Sequence, residues 1–287
     1  MDTARPRPVE QIPASEEVRP RPSSVANEAV ETLSNSLAGR VALVTGGGRG
    51  IGQAIALGLA GMGARVAVLS RSSDELGKTV EAVEKGGGVA KAVPADVNAP
   101  HQVAAAINVV EDTWGPIGIL VNNAGVVWPL GPSSEIDVQE WAAALAINVT
   151  SIARLSFALL PRMLSSGWGR IVNVSSSVAA NPASMLRGNA YATTKTALEA
   201  HSLNLAAELA GTGVTVNVYR PGGVDTNMQA WVRSQDPVRV GVALHQRFVQ
   251  NQMQGTLLTP EQSAASLLAR LGSVQTGQIW DAADRLS

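Results

Sequence analysis

The 287-residue chain contains no cysteine. Disulfides, thiolate nucleophiles and cysteine-ligated zinc are therefore excluded. Histidine is scarce as well. His101, His201 and His245 lie far apart, without the short spacings of metal ligands, so no metal is expected. Aromatic residues make up 3 % of the chain, which leaves Ala, Val, Leu and Ile to build the core. Neither sign of charge is in excess. A net charge of −1 gives no basic surface of the kind nucleic acid requires, and no nucleic-acid partner is expected. No apolar run approaches the roughly 20 residues that cross a bilayer, so no membrane partner is expected. The N-terminus lacks the apolar segment of a secretory signal, which makes the cytoplasm the expected location.

What is present divides into two parts. Residues 1–38 open with "MDTARPRPVEQIPASEEVRPRPSS", rich in Pro, Arg and Glu and without an apolar period. This part reads as a disordered or extended N-terminal arm, or as one that wraps a neighbour in an oligomer. Residues 39–287 read as one folded domain. Short β-branched runs recur at 41–44, 66–69, 91–93, 119–121, 171–174, 214–218 and 277–280. Several are apolar without alternation, which suits strands buried on both faces. Helical patterns lie between them, near 51–63, 73–85, 100–113, 137–165, 190–211 and 260–271. The spacing predicts an α/β fold: a Rossmann-type, doubly wound parallel sheet of about seven strands flanked by helices. Thr259 as N-cap, Pro260 and Glu261 mark the start of the last helix. The segment 225–258 reads as irregular and as a mobile cap.

"VALVTGGGRGIGQAIALGLA" sets a strand, a glycine-rich turn and a helix in series. Glycines let the backbone approach a pyrophosphate, and the helix N-terminus offers free N–H groups and a positive dipole end. The spacing is Gly46-x-x-x-Gly50-x-Gly52. The next strand ends "VAVLSRSS", where a carboxylate would hold the ribose of NAD. Ser70 and Arg71 stand there instead, with Arg49 in the turn as a second cation. Guanidiniums suit a 2′-phosphate, so NADP(H) is the expected cofactor.

Tyrosine and lysine are also rare, at two and four residues, yet Tyr191 and Lys195 sit together in "NAYATTKTALEA". Here the motifs "TGGGRGIG" 45–52, "NNAG" 122–125, "INVTS" with Asn148, "IVNVSS" 171–176, "YATTK" 191–195 and "RPGGVDT" 220–226 occur in order. This set resembles the short-chain dehydrogenase/reductase family, in its single-domain branch of carbonyl reductases like 3-oxoacyl-acyl-carrier-protein reductase. The resemblance implies that Thr45, Gly46, Gly50, Ile51 and Gly52 form the cofactor turn. It implies that Asp96, beside Val97, meets the adenine ring. Asn122, Asn123, Ala124 and Gly125 would steady the sheet and line the cofactor. Pro221, Gly222, Val224 and Thr226 would contact the nicotinamide end. Asn148, Ser176, Tyr191 and Lys195 match the catalytic tetrad, and a homodimer or homotetramer is implied.

The serine departs from the usual spacing. Thirteen residues before Tyr191 stands Val178, so the strand-end motif points to Ser176, with Ser175 and Ser177 as rivals. In the implied chemistry Tyr191 gives a proton to a small-molecule carbonyl. Lys195, one helical turn away, lowers the phenol pKa and holds the nicotinamide ribose. Ser176 hydrogen-bonds the substrate oxygen, and Asn148 holds a water that links Lys195 to solvent. Trp128 and Trp231 read as pocket-lining or core residues, and Tyr219 as packing. The competing reading is a non-catalytic Rossmann module that binds NAD(P) or a protein partner.

Overall fold

The computed structural model describes residues 37–284. Seven strands alternate with helices along the chain: β1 (Val41–Thr45), β2 (Arg65–Ser70), β3 (Val89–Pro94), β4 (Ile117–Asn122), β5 (Gly169–Val174), β6 (Val214–Arg220) and β7 (Ile279–Asp281). All pairings are parallel, in the order β3-β2-β1-β4-β5-β6-β7. The chain builds outward from β1 in one direction, then returns to its other side with β4. Strand order reverses there, and the crevice beyond the carboxyl ends of β1 and β4 is where such sheets bind ligands.

The strands are buried on both faces because helices cover both. Along β1, Ala42 and Val44 face one core cluster, while Val41 and Leu43 face the other. The first cluster is closed by α1 (Gly50–Gly61), α2 (Ser73–Lys85) and α10 (Pro260–Leu271). The second is closed by α3 (Pro100–Trp114), α5 (Ser151–Ser166) and α6 (Asn189–Glu208). The expected Thr259 cap is present and extends to a full capping box with Gln262.

Four expectations need correction. The helix expected over 137–165 is split into α4 (Val138–Leu145), a π-turn (Ala146–Thr150) and α5. A π-turn takes one more residue than an α-turn and re-aims the side chain at that point. Asn148 sits in it. The whole run Val138–Ser166 is long and apolar enough to cross a bilayer, unlike the expectation; here it packs against β4, β5 and α6. The segment 225–258 is largely helical, with α7 (Asn227–Arg233), α8 (Pro237–Val240) and α9 (Val242–Met253). Their buried Val232, Val240 and Leu244 join Val127, Leu130, Val178, Met185 and Ala192 in a third apolar cluster, and Asp236 caps α8 through the Val238 N–H. The last strand begins at Ile279 rather than at residue 277, because Gly277 adopts φ +72° and turns the chain before pairing starts.

Leu37, placed in the N-terminal arm by sequence, is 0 % exposed and belongs to the first core cluster. Residues 1–36 of that arm lie outside the described residues. Tyr219 is fully buried, as expected of a packing residue, and its hydroxyl donates to the Ser263 carbonyl of α10 at 2.5 Å. Tyr219→Phe removes this tie between β6 and α10. We expect the unfolding free energy to fall by about 1–2 kcal/mol in a denaturant titration, with the fold retained.

Candidate active site

The glycine turn is shaped by contacts that only glycine permits. A Cβ at Gly52 would lie 2.2 Å from the Gly46 carbonyl oxygen, and one at Gly46, where φ is +63°, would lie 2.8 Å from Asn123 Nδ2. Thr45 and Asn123 lock this turn to the end of β4. Thr45 Oγ1 accepts from the N–H groups of Asn123 and Ala124, both at 3.0 Å, and Asn123 Nδ2 donates to the carbonyls of Thr45 and Gly46 at 3.0 and 3.2 Å. Helix α1 starts at Gly50 with Ile51 next, and its N-cap Arg49 supplies no side-chain cap. Its first N–H groups are thus left for an anion.

At the end of β2 the Ser70 hydroxyl is buried and has no hydrogen-bond partner among the described residues. Arg71 follows it and is exposed. Arg49 is not free: its Nη1 pairs with Glu75 at 2.8 Å. The pair is solvent-facing and worth well under about 1 kcal/mol, so an anionic ligand could displace it. Asp96 is partly committed, since its Oδ1 accepts from Asn98 N at 2.8 Å; Val97 beside it is buried and offers its carbonyl to Arg154 at 3.4 Å. An orphaned hydroxyl at the ribose end and an uncapped helix start fit a dinucleotide. Ser70, Arg71 and the glycine turn would hold it.

At the carboxyl ends of β4 and β5, helix α6 lays one face against the sheet. Tyr191, Lys195 and Glu199 follow at four-residue steps on that face. Lys195 is 4 % exposed, and its Nζ donates to the Val174 carbonyl at 2.8 Å. It stands 5.7 Å from the centroid of the Tyr191 ring. Burial lowers the Lys195 ammonium to about 8, while the Glu199 carboxylate opposes the drop. Burial also pushes the Tyr191 phenol above its ordinary value, and the neighbouring Ser176 hydroxyl pulls it partly back. Desolvation, and not the expected influence of Lys195, governs this phenol; the ammonium is turned to the Val174 carbonyl.

Ser176 ends the extended chain after β5 and accepts from Val178 N at 3.3 Å. Of its rivals, Ser175 donates its hydroxyl to Glu199 at 2.8 Å, and Ser177 is exposed. Only Ser176 adjoins the phenol. Asn148 is fully buried and closes the floor: its Oδ1 accepts from Val126 N at 2.8 Å, and its Nδ2 donates to Val126 O at 2.8 Å and Thr194 Oγ1 at 3.0 Å. Gly125 lies beside it, where a Cβ would stand 3.2 Å from Asn148 Oδ1 and 3.6 Å from Lys195 Nζ. Asn122 does brace the sheet, donating to Asn173 Oδ1 at 2.8 Å, and Asn173 donates on to Ser202 of α6 at 2.8 Å.

The far wall follows β6. Pro221 and Gly222 turn the chain, Val224 bridges to Leu258, and the Thr226 methyl lies 3.4 Å from where a Gly50 Cβ would be. This brings Thr226 beside the glycine turn. Sequence reasoning missed Glu199, Arg220 and Thr194. Glu199 could have been found as the next four-residue step after Lys195. Trp231 is over a third exposed on α7. A groove of about 610 Å³ lies beside α6, lined by Met185, Leu186, Thr193 and Ala200 among others, but it includes none of the four tetrad residues and is set aside as the site.

The fold and this cleft define a dinucleotide-dependent α/β oxidoreductase. The short chain dehydrogenase family profile matches residues 40–237. A short-chain type dehydrogenase/reductase of Picea abies is 38 % identical, over 72 % of this chain and 78 % of its own. The 3-oxoacyl-acyl-carrier-protein reductase FabG of Pseudomonas aeruginosa is 38 % identical, over 67 % and 77 %. An actinorhodin polyketide ketoreductase variant, solved with NADPH, aligns with a TM-score of 0.76 at 31 % identity, covering 84 % of this chain and 95 % of that one. The chain belongs to the short chain dehydrogenase family.

Gly52→Ala would force the turn open against the Gly46 carbonyl. We expect dinucleotide affinity to fall at least about tenfold by fluorescence titration, and the thermal melt to fall as well, because Gly52 is buried and the clash is with backbone.

Proposed function

We propose that this chain interconverts a ketone and a secondary alcohol with NADP(H), and that Tyr191 exchanges the proton. The observation that carries the reading is the convergence of Tyr191, Ser176, Lys195 and Asn148 at the switch point, beside the glycine turn. A bound nicotinamide supplies or takes the hydride at the substrate carbon. In the reductive direction Tyr191 gives its hydroxyl proton to the carbonyl oxygen, so one hydride and one proton make the alcohol. Burial keeps the phenol protonated at neutrality, as a donor requires. Ser176 donates a hydrogen bond to the same oxygen and steadies its developing charge. Lys195 stabilises the tyrosinate left behind and leads a proton back to it. Asn148, held by Val126 and Thr194, would hold the water that links Lys195 to solvent. The apolar cluster under α7–α9 keeps bulk water from the phenol and suits a substrate with an apolar body.

The NADP preference rests on Ser70 and Arg71 where a ribose-binding carboxylate would stand. Arg49 contributes once it leaves Glu75. Two similar structures hold the phosphorylated cofactor: the actinorhodin ketoreductase variant, with NADPH, and a protein of Beutenbergia cavernae described as NAD(P) dependent, with NADP bound at low occupancy. A xylitol dehydrogenase of the same fold was solved with NAD+ instead, so the fold alone does not set the choice.

A panel of ketones assayed with NADPH and NADH tests the activity, and faster turnover with NADH would remove the role of Arg71. Tyr191→Phe should lower kcat by about 10²-fold or more. Reduction needs Lys195 charged. Its rate should therefore hold at neutral pH and fall as pH rises through about 8. A flat profile across that range would contradict the role of Lys195.

A further inference from the structure

Glu199 lies outside the proton path, yet it is the most heavily bonded acid near the site. It is 8 % exposed. Its Oε1 accepts from Ser175 Oγ at 2.8 Å and Arg220 Nε at 2.9 Å, and its Oε2 accepts from Arg220 Nη2 at 2.7 Å. The guanidinium thus grips it with two parallel bonds, the stronger geometry for such a pair. These contacts join three elements. Glu199 is one turn beyond Lys195 on α6. Ser175 lies between Val174, whose carbonyl holds Lys195, and Ser176. Arg220 is the last residue of β6 and leads into Pro221. Ser175 is further fixed by its N–H, which donates to the Tyr219 carbonyl at 2.7 Å.

We propose that Glu199 is a positioning residue: its carboxylate clamps α6 to the ends of β5 and β6, and so sets Ser176 and Lys195 against Tyr191 and the segment Pro221–Thr226. The clamp also consumes the Ser175 hydroxyl, which leaves Ser176 as the serine beside the phenol. A second effect is electrostatic. The Glu199 charge favours the ammonium of Lys195 against desolvation. The other charged or titratable groups that face this cluster are Tyr191 on α6, Arg220 on β6, and Asp281 and Asp284 beyond Arg220. An ion pair serving stability alone would not bear on the charge of Lys195.

The inference rests on the catalytic reading of Tyr191 and Lys195, so Tyr191→Phe is measured alongside. Glu199→Gln keeps the shape of the side chain and removes its charge. We expect kcat for ketone reduction to fall about tenfold with KM little changed, since only placement at the reacting atoms is lost. The alkaline limb of the kcat profile should move down by about one pH unit. Glu199→Asp, which restores the charge, should return the limb towards its original position. If Glu199→Gln strands Arg220 and fails to fold, the double variant Glu199→Leu with Arg220→Met removes both charges and should show the same lowered limb. A folded variant without the Glu199 charge whose limb and kcat match the parent overturns the proposal, provided Tyr191→Phe is inactive. An active Tyr191→Phe overturns the catalytic reading itself.

Discussion

A buried ammonium is the constraint on which this site depends. Removing a charged amine from water is costly unless the surroundings compensate it. Lys195 is nearly enclosed, and two things offset the cost: the Val174 carbonyl accepts from it, and Glu199 supplies an opposing charge one helical turn away. Each partner dictates more of the structure. The Val174 carbonyl must end β5 beneath α6, which sets the two following serines on opposite sides. Glu199 in turn is itself a buried charge and requires Arg220, which anchors the end of β6. The crevice is thereby built by the needs of one lysine as much as by the sheet.

That arrangement gives Tyr191 and Lys195 different tasks from the simplest view of such a pair. Helical spacing alone suggests an ammonium that acidifies a phenol. Here burial raises the phenol and lowers the amine, so the two values, close together in water, move apart. The phenol therefore holds its proton more tightly than the ammonium does, and once the phenol has given its proton to the substrate the ammonium is the ready donor that returns one to the tyrosinate.

Much of the fold was legible because parallel strands buried on both faces carry non-alternating Val and Ile runs, as in "VALVT" and "RVAVLS". The parallel, doubly wound arrangement then followed from alternating strands and helices. The π-turn at Asn148 was not legible, since "AAALAINVTSIARL" has unbroken helical composition and the extra residue is imposed by packing against Thr194 and Val126. The cap helices were hidden for another reason. Their polar faces look outward, and only Val232, Val240 and Leu244 show where they seat. The glycine turn and the Tyr-Lys pair were legible because their chemistry is local in sequence. Glu199 and Arg220 lie 21 residues apart and become partners only because α6 packs against β6. The choice among three adjacent serines likewise needed the Ser175–Glu199 bond.

The central claim is that Tyr191 stands protonated in the free enzyme and yields its proton to the substrate. Tyr191 and Tyr219 are the only tyrosines, so a Tyr219→Phe variant leaves one phenol to observe. Ultraviolet difference titration of that variant follows Tyr191 alone. The account predicts ionisation above the ordinary tyrosine value of about 10 in the free protein. Ionisation well below that value would mean that Tyr191 is already a tyrosinate near neutrality, and would contradict its role as the proton donor.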